Sequence, residues 1–185
     1  MKIGSTGLKQ VCLVTWDLAR AERCWTRILD MPAQHLQTPP WNQVPTYTNG
    51  KADTFCENFL LYHLANDVIL EIFGPGETKD NPWRRHLEAY GEGVMNLAFY
   101  VEGQRPAAYR QIGAVAGARQ PYHEGFYPQA TYSFVNTMPE LGVELNIKCS
   151  EDNTALIRAL NQDPHAYGPA GGQNNFYKTE GKKAT

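Results

Sequence analysis

Two stretches of this chain, residues 8–73 and 94–148, run through the same order of elements: a strand, a helix, then further strands. Each sets polar residues at matching places. The first opens with Gln10 and closes with Glu71 inside Val-Ile-Leu-Glu-Ile-Phe (68–73); the second opens with Asn96 and closes with Glu144 inside Gly-Val-Glu-Leu-Asn-Ile (142–147). An internal duplication is the simplest account. A carboxylate inside an apolar strand must be hydrogen-bonded, ion-paired or metal-bound, because a dry and unpartnered one is costly. The two glutamates are therefore where chemistry is to be sought.

Within the first stretch, residues 8–16 have strand character, and Asp17 is placed to cap a helix that presents Leu18, Ala21, Trp25, Ile28 and Leu29 on one face. Met31-Pro32 closes that helix, and 33–54, rich in Pro, Thr, Asn and Gly, reads as a loop. Strands follow at 57–64 and 68–73, parted by the turn-forming Asn66-Asp67. Asn81-Pro82 opens a short helix that ends at Gly91. The second round has a strand at 94–101, a helix over 104–115, a loop at 117–130, and strands near 130–136 and 142–148. Ser150 is placed to cap a last helix, with Glu151 and Asp152 in its first turn. The expected organisation is a first module over 1–75, a connecting helix and turn over 76–93, a second module over 94–149, a C-terminal helix over 150–162 and a surface or mobile tail over 163–185.

Composition narrows the function classes. Lys and Arg total 17 against 19 Asp and Glu, without long runs of either sign, so nothing calls for nucleic acid. No run of eighteen apolar residues occurs and the first ten residues lack an apolar signal core, which makes a cytoplasmic location the expectation. Cys12, Cys24, Cys56 and Cys149 are scattered and form no Cys-x-x-Cys pair, against a zinc finger or a disulfide framework.

Strand alternation turns the repeat into geometry. In 94–101, Met95, Leu97, Phe99 and Val101 share a face suited to packing under helices, while Asn96, Ala98 and Tyr100 share the other. Gln10 lies with Leu8, Cys12 and Val14, and Glu71 with Ile69 and Phe73. If the duplicated sheets curl together, Gln10, Glu71, Asn96 and Glu144 converge, and four oxygen donors at one point make a metal site. Taken singly, each has an ordinary structural reading; Glu144 shares its face with Asn146 and Lys148, as a solvated surface does.

These residues also carry a family resemblance. Gln10-Val-Cys-Leu-Val-Thr-Trp-Asp-Leu resembles the opening of vicinal oxygen chelate proteins, and the likeness continues through Val68-Ile-Leu-Glu-Ile-Phe, Gly91-Glu-Gly-Val-Met-Asn-Leu-Ala-Phe and Leu141-Gly-Val-Glu-Leu. Asn81–Gly93 looks like the helix and Gly-x-Gly turn of methylmalonyl-CoA epimerase-like members; glyoxalase I is the other close relative. The resemblance implies an α+β fold of two paired βαβββ modules forming a cupped mixed sheet, the glyoxalase/bleomycin resistance/dioxygenase fold. It implies a divalent metal held by Gln10, Glu71, Asn96 and Glu144. Asn96 departs from the usual His, so an all-oxygen set suits Mg, Mn or Ca better than Zn, Co or Ni.

The implied chemistry is metal-assisted proton abstraction alpha to a carbonyl or thioester through a stabilised enolate, in an isomerase, epimerase or lyase. Glu144 is the candidate base, Glu71 a ligand or the opposite-face partner, and Glu57 a second acid–base group. Tyr100, Tyr62, His123, Tyr132 and Trp41 are candidate substrate contacts, with His123 in a loop covering the cleft. A glyoxalase I-like lactoylglutathione lyase and a non-catalytic, antibiotic-type binding protein are the alternatives. The partner is a small-molecule substrate, with neither nucleic acid nor membrane, and a homodimer is implied by resemblance.

Overall fold

The computed structural model describes residues 5–53, 56–102, 105–117 and 120–167 of the 185. Along the chain the elements are β1 (Ser5–Val14), α1 (Leu18–Leu29), β2 (Gln34–Gln37), β3 (Thr46–Thr48), β4 (Lys51–Ala52), β5 (Asn58–His63), β6 (Ile69–Phe73), α2 (Pro82–Tyr90), β7 (Gly93–Val101), α3 (Arg105–Ala116), β8 (His123–Tyr127), β9 (Ala130–Val135), α4 (Met138–Leu141), β10 (Glu144–Ser150) and α5 (Thr154–Gln162). The ten strands among the described residues join one curved, unclosed sheet in the order β2-β5-β6-β1-β7-β10-β9-β8-β3-β4.

That order is nearly symmetric about its middle. Strand β1 runs parallel to β6, β7 runs parallel to β10, and β1 meets β7 antiparallel at the centre. Each half is thus a βαβββ unit, and together they form the cupped α+β sheet.

The helices divide between the two faces. On one face, the partly buried Leu18, Ala21, Trp25 and Leu29 of α1 pack on the buried Leu60, Tyr62, Leu70 and Ile72, and each fully buried aliphatic side chain contributes about 1.5–3 kcal/mol. Asp17 caps α1 as the sequence indicates, accepting from the Arg20 amide at 2.8 Å, but Ile28 turns outward and is 72% exposed. Helix α3 buries Ala108, Tyr109, Ile112 and Ala116 against Val101, Val135, Ile147 and Cys149. Helix α2 lies on the other, concave face, where Trp83 and Leu87 join Cys12, Val14, Phe73, Met95 and Phe134.

Several expectations are corrected. The 33–54 passage is not a plain loop: it contributes β2 and the β3–β4 hairpin, closed by Asn49 and Gly50 at φ 51° and 75°, the left-handed pair that a tight hairpin turn demands. That hairpin docks on β8, which itself occupies much of the presumed 117–130 loop. Met95 belongs to the concave cluster because the β1–β7 register slips between Cys12 and Leu13, leaving it as an extra residue between Val94 and Asn96, the partners of Leu13 and Cys12. Ser150 ends β10 and caps nothing; Asn153 precedes α5, with the Asp152 carboxylate accepting from the Thr154 amide at 3.0 Å. At the start of the presumed tail a 3-10 turn, Pro164–Tyr167, packs Tyr167 with Tyr47, Phe126 and Leu160. The rest of that tail, residues 168–185, and the opening residues 1–4 lie outside the described residues, as does Gln104 at the expected start of α3.

Candidate functional site

The register fixes which polar side chains face the concave side. One row across the sheet reads Glu71, Cys12, Asn96, Glu144, and the next on the same face reads Ile69, Gln10, Ala98, Asn146. Ala98 is the key to the second row. Its methyl leaves room over β7, so Lys148 on β10 reaches across to Gln10 on β1.

Gln10 is the hub. Its amide nitrogen donates to the Glu71 carboxylate, and its amide oxygen accepts from the Lys148 ammonium. A carboxylate and an ammonium are thereby held on either side of one neutral amide rather than collapsed into a direct pair. Burial pushes the Glu71 carboxyl above its ordinary range, while Lys148 and a hydrogen bond from Cys12 pull the other way.

These groups form the floor of a narrow cavity of about 80 Å³, room for a few non-hydrogen atoms. Its walls are Phe59, Phe73, Trp83, Tyr127, Tyr132 and Phe134. Phe59, Phe73 and Trp83 stack in series, with centroid separations of 4.6 and 4.0 Å. Such packing fixes the wall.

The other candidate residues fall elsewhere. Asn96 is fully buried, and neither of its amide atoms has a hydrogen-bond partner among the described residues. Glu144 is buried too, but its carboxylate accepts from the Tyr122 hydroxyl at 2.6 Å, and burial together with that carboxylate pushes the phenol well above its usual range. Glu144 lines a second opening, with Pro82, Arg85 and His86 of α2. Helix α2 therefore stands between the two glutamates, its Trp83 on the Glu71 side.

The set of four does not, as placed, fit a divalent ion. The one oxygen Gln10 has to offer already takes Lys148, an ammonium sits where the cation's charge would be, and Glu144 is turned to Tyr122.

Glu57 is buried outside the cleft. Its carboxylate accepts from Thr78 Oγ1 at 3.2 Å and Asn81 Nδ2 at 3.0 Å, and a Cβ at Gly76, where φ is +63°, would fall 1.8 Å from it. It anchors the loop that launches α2. Tyr62 is buried on the α1 face, its hydroxyl 3.1 Å from Thr26 Oγ1, Tyr100 bonds Ser150, and Trp41 packs edge-on to Tyr47 at 5.2 Å. None of these three lines the cavity. Tyr132 does, and His123 stands directly behind it in β8 rather than in a covering loop.

The residues that sequence reading missed are Lys148, Trp83 and Asn146. For Lys148 the signal was present, since alternation along β10 sets it on the face of Glu144; what was absent was any sign that Ala98 lets it cross a strand.

The architecture is a known one: the glyoxalase/bleomycin resistance/dioxygenase fold, a duplicated βαβββ sheet with a polar cleft on its concave face. Among solved structures it is similar to methylmalonyl-CoA epimerase from Mycobacterium tuberculosis, with a TM-score of 0.52, 18% identity and coverage of 83% of this chain and 93% of that one. It is similar as well to the Streptomyces coelicolor methylmalonyl-CoA epimerase in complex with 2-nitronate-propionyl-CoA, at a TM-score of 0.51, 17% identity and coverage of 79% and 95%. A further methylmalonyl-CoA epimerase, in complex with methylmalonyl-CoA and NH4+, gives 0.51, 16% and coverage of 79% and 95%. No protein-family model and no curated protein matches the chain.

Proposed function

We propose that the chain is an enzyme of the isomerase or epimerase type that moves a proton alpha to a carbonyl or thioester. The observation that carries this reading is the Glu71–Gln10–Lys148 chain at the floor of an aromatic-walled cleft. Enolisation needs a base beside the C–H and a positive charge where the enolate oxygen develops. Glu71, raised toward neutrality by burial, is the base. The Lys148 ammonium supplies the charge, and Gln10 stops the two from neutralising each other.

This assignment moves the base from Glu144 to Glu71. The size of the cavity suits a short acyl group, with any larger carrier left outside the mouth, and methylmalonyl-type thioesters, the ligands named for the similar epimerases, are the class to try first.

The test is deuterium incorporation at the alpha carbon in D2O, read by NMR over a panel of short-chain thioesters and 2-oxo compounds. Exchange by the native chain, and its fall by about 10²–10⁴-fold in Glu71→Gln, are expected for loss of a general base. Exchange untouched by Glu71→Gln removes the assignment. Silence across the whole panel favours a binding protein, and turnover confined to glutathione hemithioacetals favours the glyoxalase I-like lyase.

A further inference from the structure

Behind the aromatic wall runs a chain of hydrogen bonds that the reading above does not use. Tyr132 lines the cavity, and its hydroxyl lies 3.0 Å from His123 Nε2. His123 Nδ1 lies 2.8 Å from Thr48 Oγ1, which in turn is 2.5 Å from Asp53 Oδ2. The imidazole is fully buried, with Trp83 and Phe134 at ring-centroid distances of 5.9 and 4.8 Å. Asp53 lines a separate surface opening with Lys51, Asp80 and Arg85, and its side chain keeps 13% of its exposure.

The chain has a direction. The Asp53 carboxylate is an acceptor, so Thr48 must donate to it; the Thr48 oxygen then accepts from Nδ1–H of His123. With its proton on Nδ1, a neutral imidazole leaves the Nε2 lone pair facing the Tyr132 hydroxyl. The phenol is therefore backed by an acceptor on the side away from the cleft.

The sequence builds this placement deliberately. Gly125 sits opposite Tyr132 in the β8–β9 register, and a Cβ there would meet the ring at 2.1 Å and its hydroxyl at 2.7 Å. Only glycine lets the phenol lie flat over β8 toward His123. The β3–β4 hairpin delivers the remaining two members: Thr48 pairs with His123 across β3 and β8, and the Asp53 amide is tied to the Thr46 carbonyl at 2.9 Å.

We propose that Tyr132 is a second proton-transfer residue, linked by His123 and Thr48 to Asp53 at a separate opening. The proposal rests on the proton-transfer reading above. Glu71 stands on β6 and Tyr132 on β9, opposite walls of the cup, so the two can serve opposite faces of one alpha carbon.

In one direction the substrate C–H bond breaks as its proton passes to the Tyr132 oxygen and the phenol's own proton passes to His123 Nε2. An enolate beside Lys148 and an imidazolium bonded through Thr48 toward Asp53 result. Protonated Glu71 then forms the new C–H bond on the other face. The cycle ends with Glu71 ionised and His123 protonated. The imidazolium returns its Nε2 proton to the phenol oxygen, which restores the Nδ1–H tautomer, as the phenol passes the substrate-derived proton to water in the cleft, and water there returns one to Glu71. Tyr132 is the catalytic residue of this set, and His123, Thr48 and Asp53 position and recharge it.

Two measurements on the full chain test the assignment. Imidazole 15N NMR without any substrate reads the tautomer: the proton of His123 is expected on Nδ1, and Thr48→Val is expected to weaken that preference, Asp53 Oδ2 lying 3.5 Å from the same nitrogen. A proton found on Nε2 in the native chain overturns the relay whatever the activity. The second measurement uses both enantiomers of a methylmalonyl thioester in D2O. Tyr132→Phe is expected to leave exchange with retention on the Glu71 face of one enantiomer while inversion falls by about 10²-fold or more, and Gly125→Ala, which displaces the phenol, is expected to do the same. Inversion unaffected by Tyr132→Phe sinks the relay and leaves Glu71 standing. A native chain silent in exchange sinks the proton-transfer reading, and with it the catalytic assignment of Tyr132, even where the tautomer is as expected.

Discussion

Replacing Lys148 by Met removes the ammonium from the cleft and keeps a stem of similar length and shape. Two unit charges about 4 Å apart interact by about 4 kcal/mol at an effective dielectric constant of about 20, an upper figure for what Lys148 lends to a developing enolate oxygen. Loss of one preorganised donor of this kind costs about 10²–10³ in kcat. Lys148→Met is therefore expected to slow alpha-proton exchange by about 10²–10³-fold. The side chain is only half-buried, so stability should move by no more than about 1 kcal/mol. A second effect has a definite sign. Lys148 opposes the upward push of burial on the Glu71 carboxyl, so without it Glu71 ionises at still higher pH and the rising limb of the pH–rate profile moves to higher pH. The assay is the NMR exchange rate across pH on native and variant chains, with urea unfolding as the control. A rate within threefold of native, or a limb that stays in place, would refute the account of Lys148 as the cation of the cleft.

Two further outcomes bear on the scaffold. Glu92 accepts from Thr15 Oγ1, the Trp16 amide and Arg20 at 2.6–2.8 Å, and these bonds hold its carboxyl down at about 2. A lowered folded-state value stabilises above the unfolded value of about 4.3 and is lost as pH falls through the folded one. The stability gap between the native chain and Glu92→Gln, from urea midpoints, should close between about pH 5 and pH 2; a constant gap would argue against this lock. Arg105, 4% exposed, bonds Glu124 at 2.7 Å and Glu151 at 2.9 Å. Arg105→Met leaves Glu124 buried without that cation and should cost about 3–5 kcal/mol, a fall in Tm of roughly 6–20 °C for a domain of this size; a shift under about 2 °C would contradict it.

The strands, the capped helices and the paired halves were legible because each rests on local chemistry. Asp17 and Asn81 cap α1 and α2 with their own side chains, and strand alternation set Gln10 and Glu71 on the faces they share. The meeting of all four polar residues was not legible. It depends on where α2 lies, and Trp83 is an ordinary core aromatic until it is seen to stand between Glu71 and Glu144. Asn49-Gly50 carried a hairpin signal of its own, lost in the polar composition of 33–54. Lys148 read as solvated because a lysine in an alternating strand usually is. Only the neighbouring strand, with Ala98 at the crossing, makes it part of the floor.

The β3–β4 hairpin carries a last consequence. Residues from the first half of the sequence are spent on the far margin of the second, where they cover β8. Cut out as a fragment, residues 93–150 would keep helices α3 and α4 and four strands but bare a row of unsatisfied backbone amides and carbonyls, an invitation to intermolecular strand addition. The two halves are thus not autonomous: the chain must close a loop of about 75 residues, from Thr48 to His123, before the β3–β8 ladder is complete, which ties folding to late, long-range contacts.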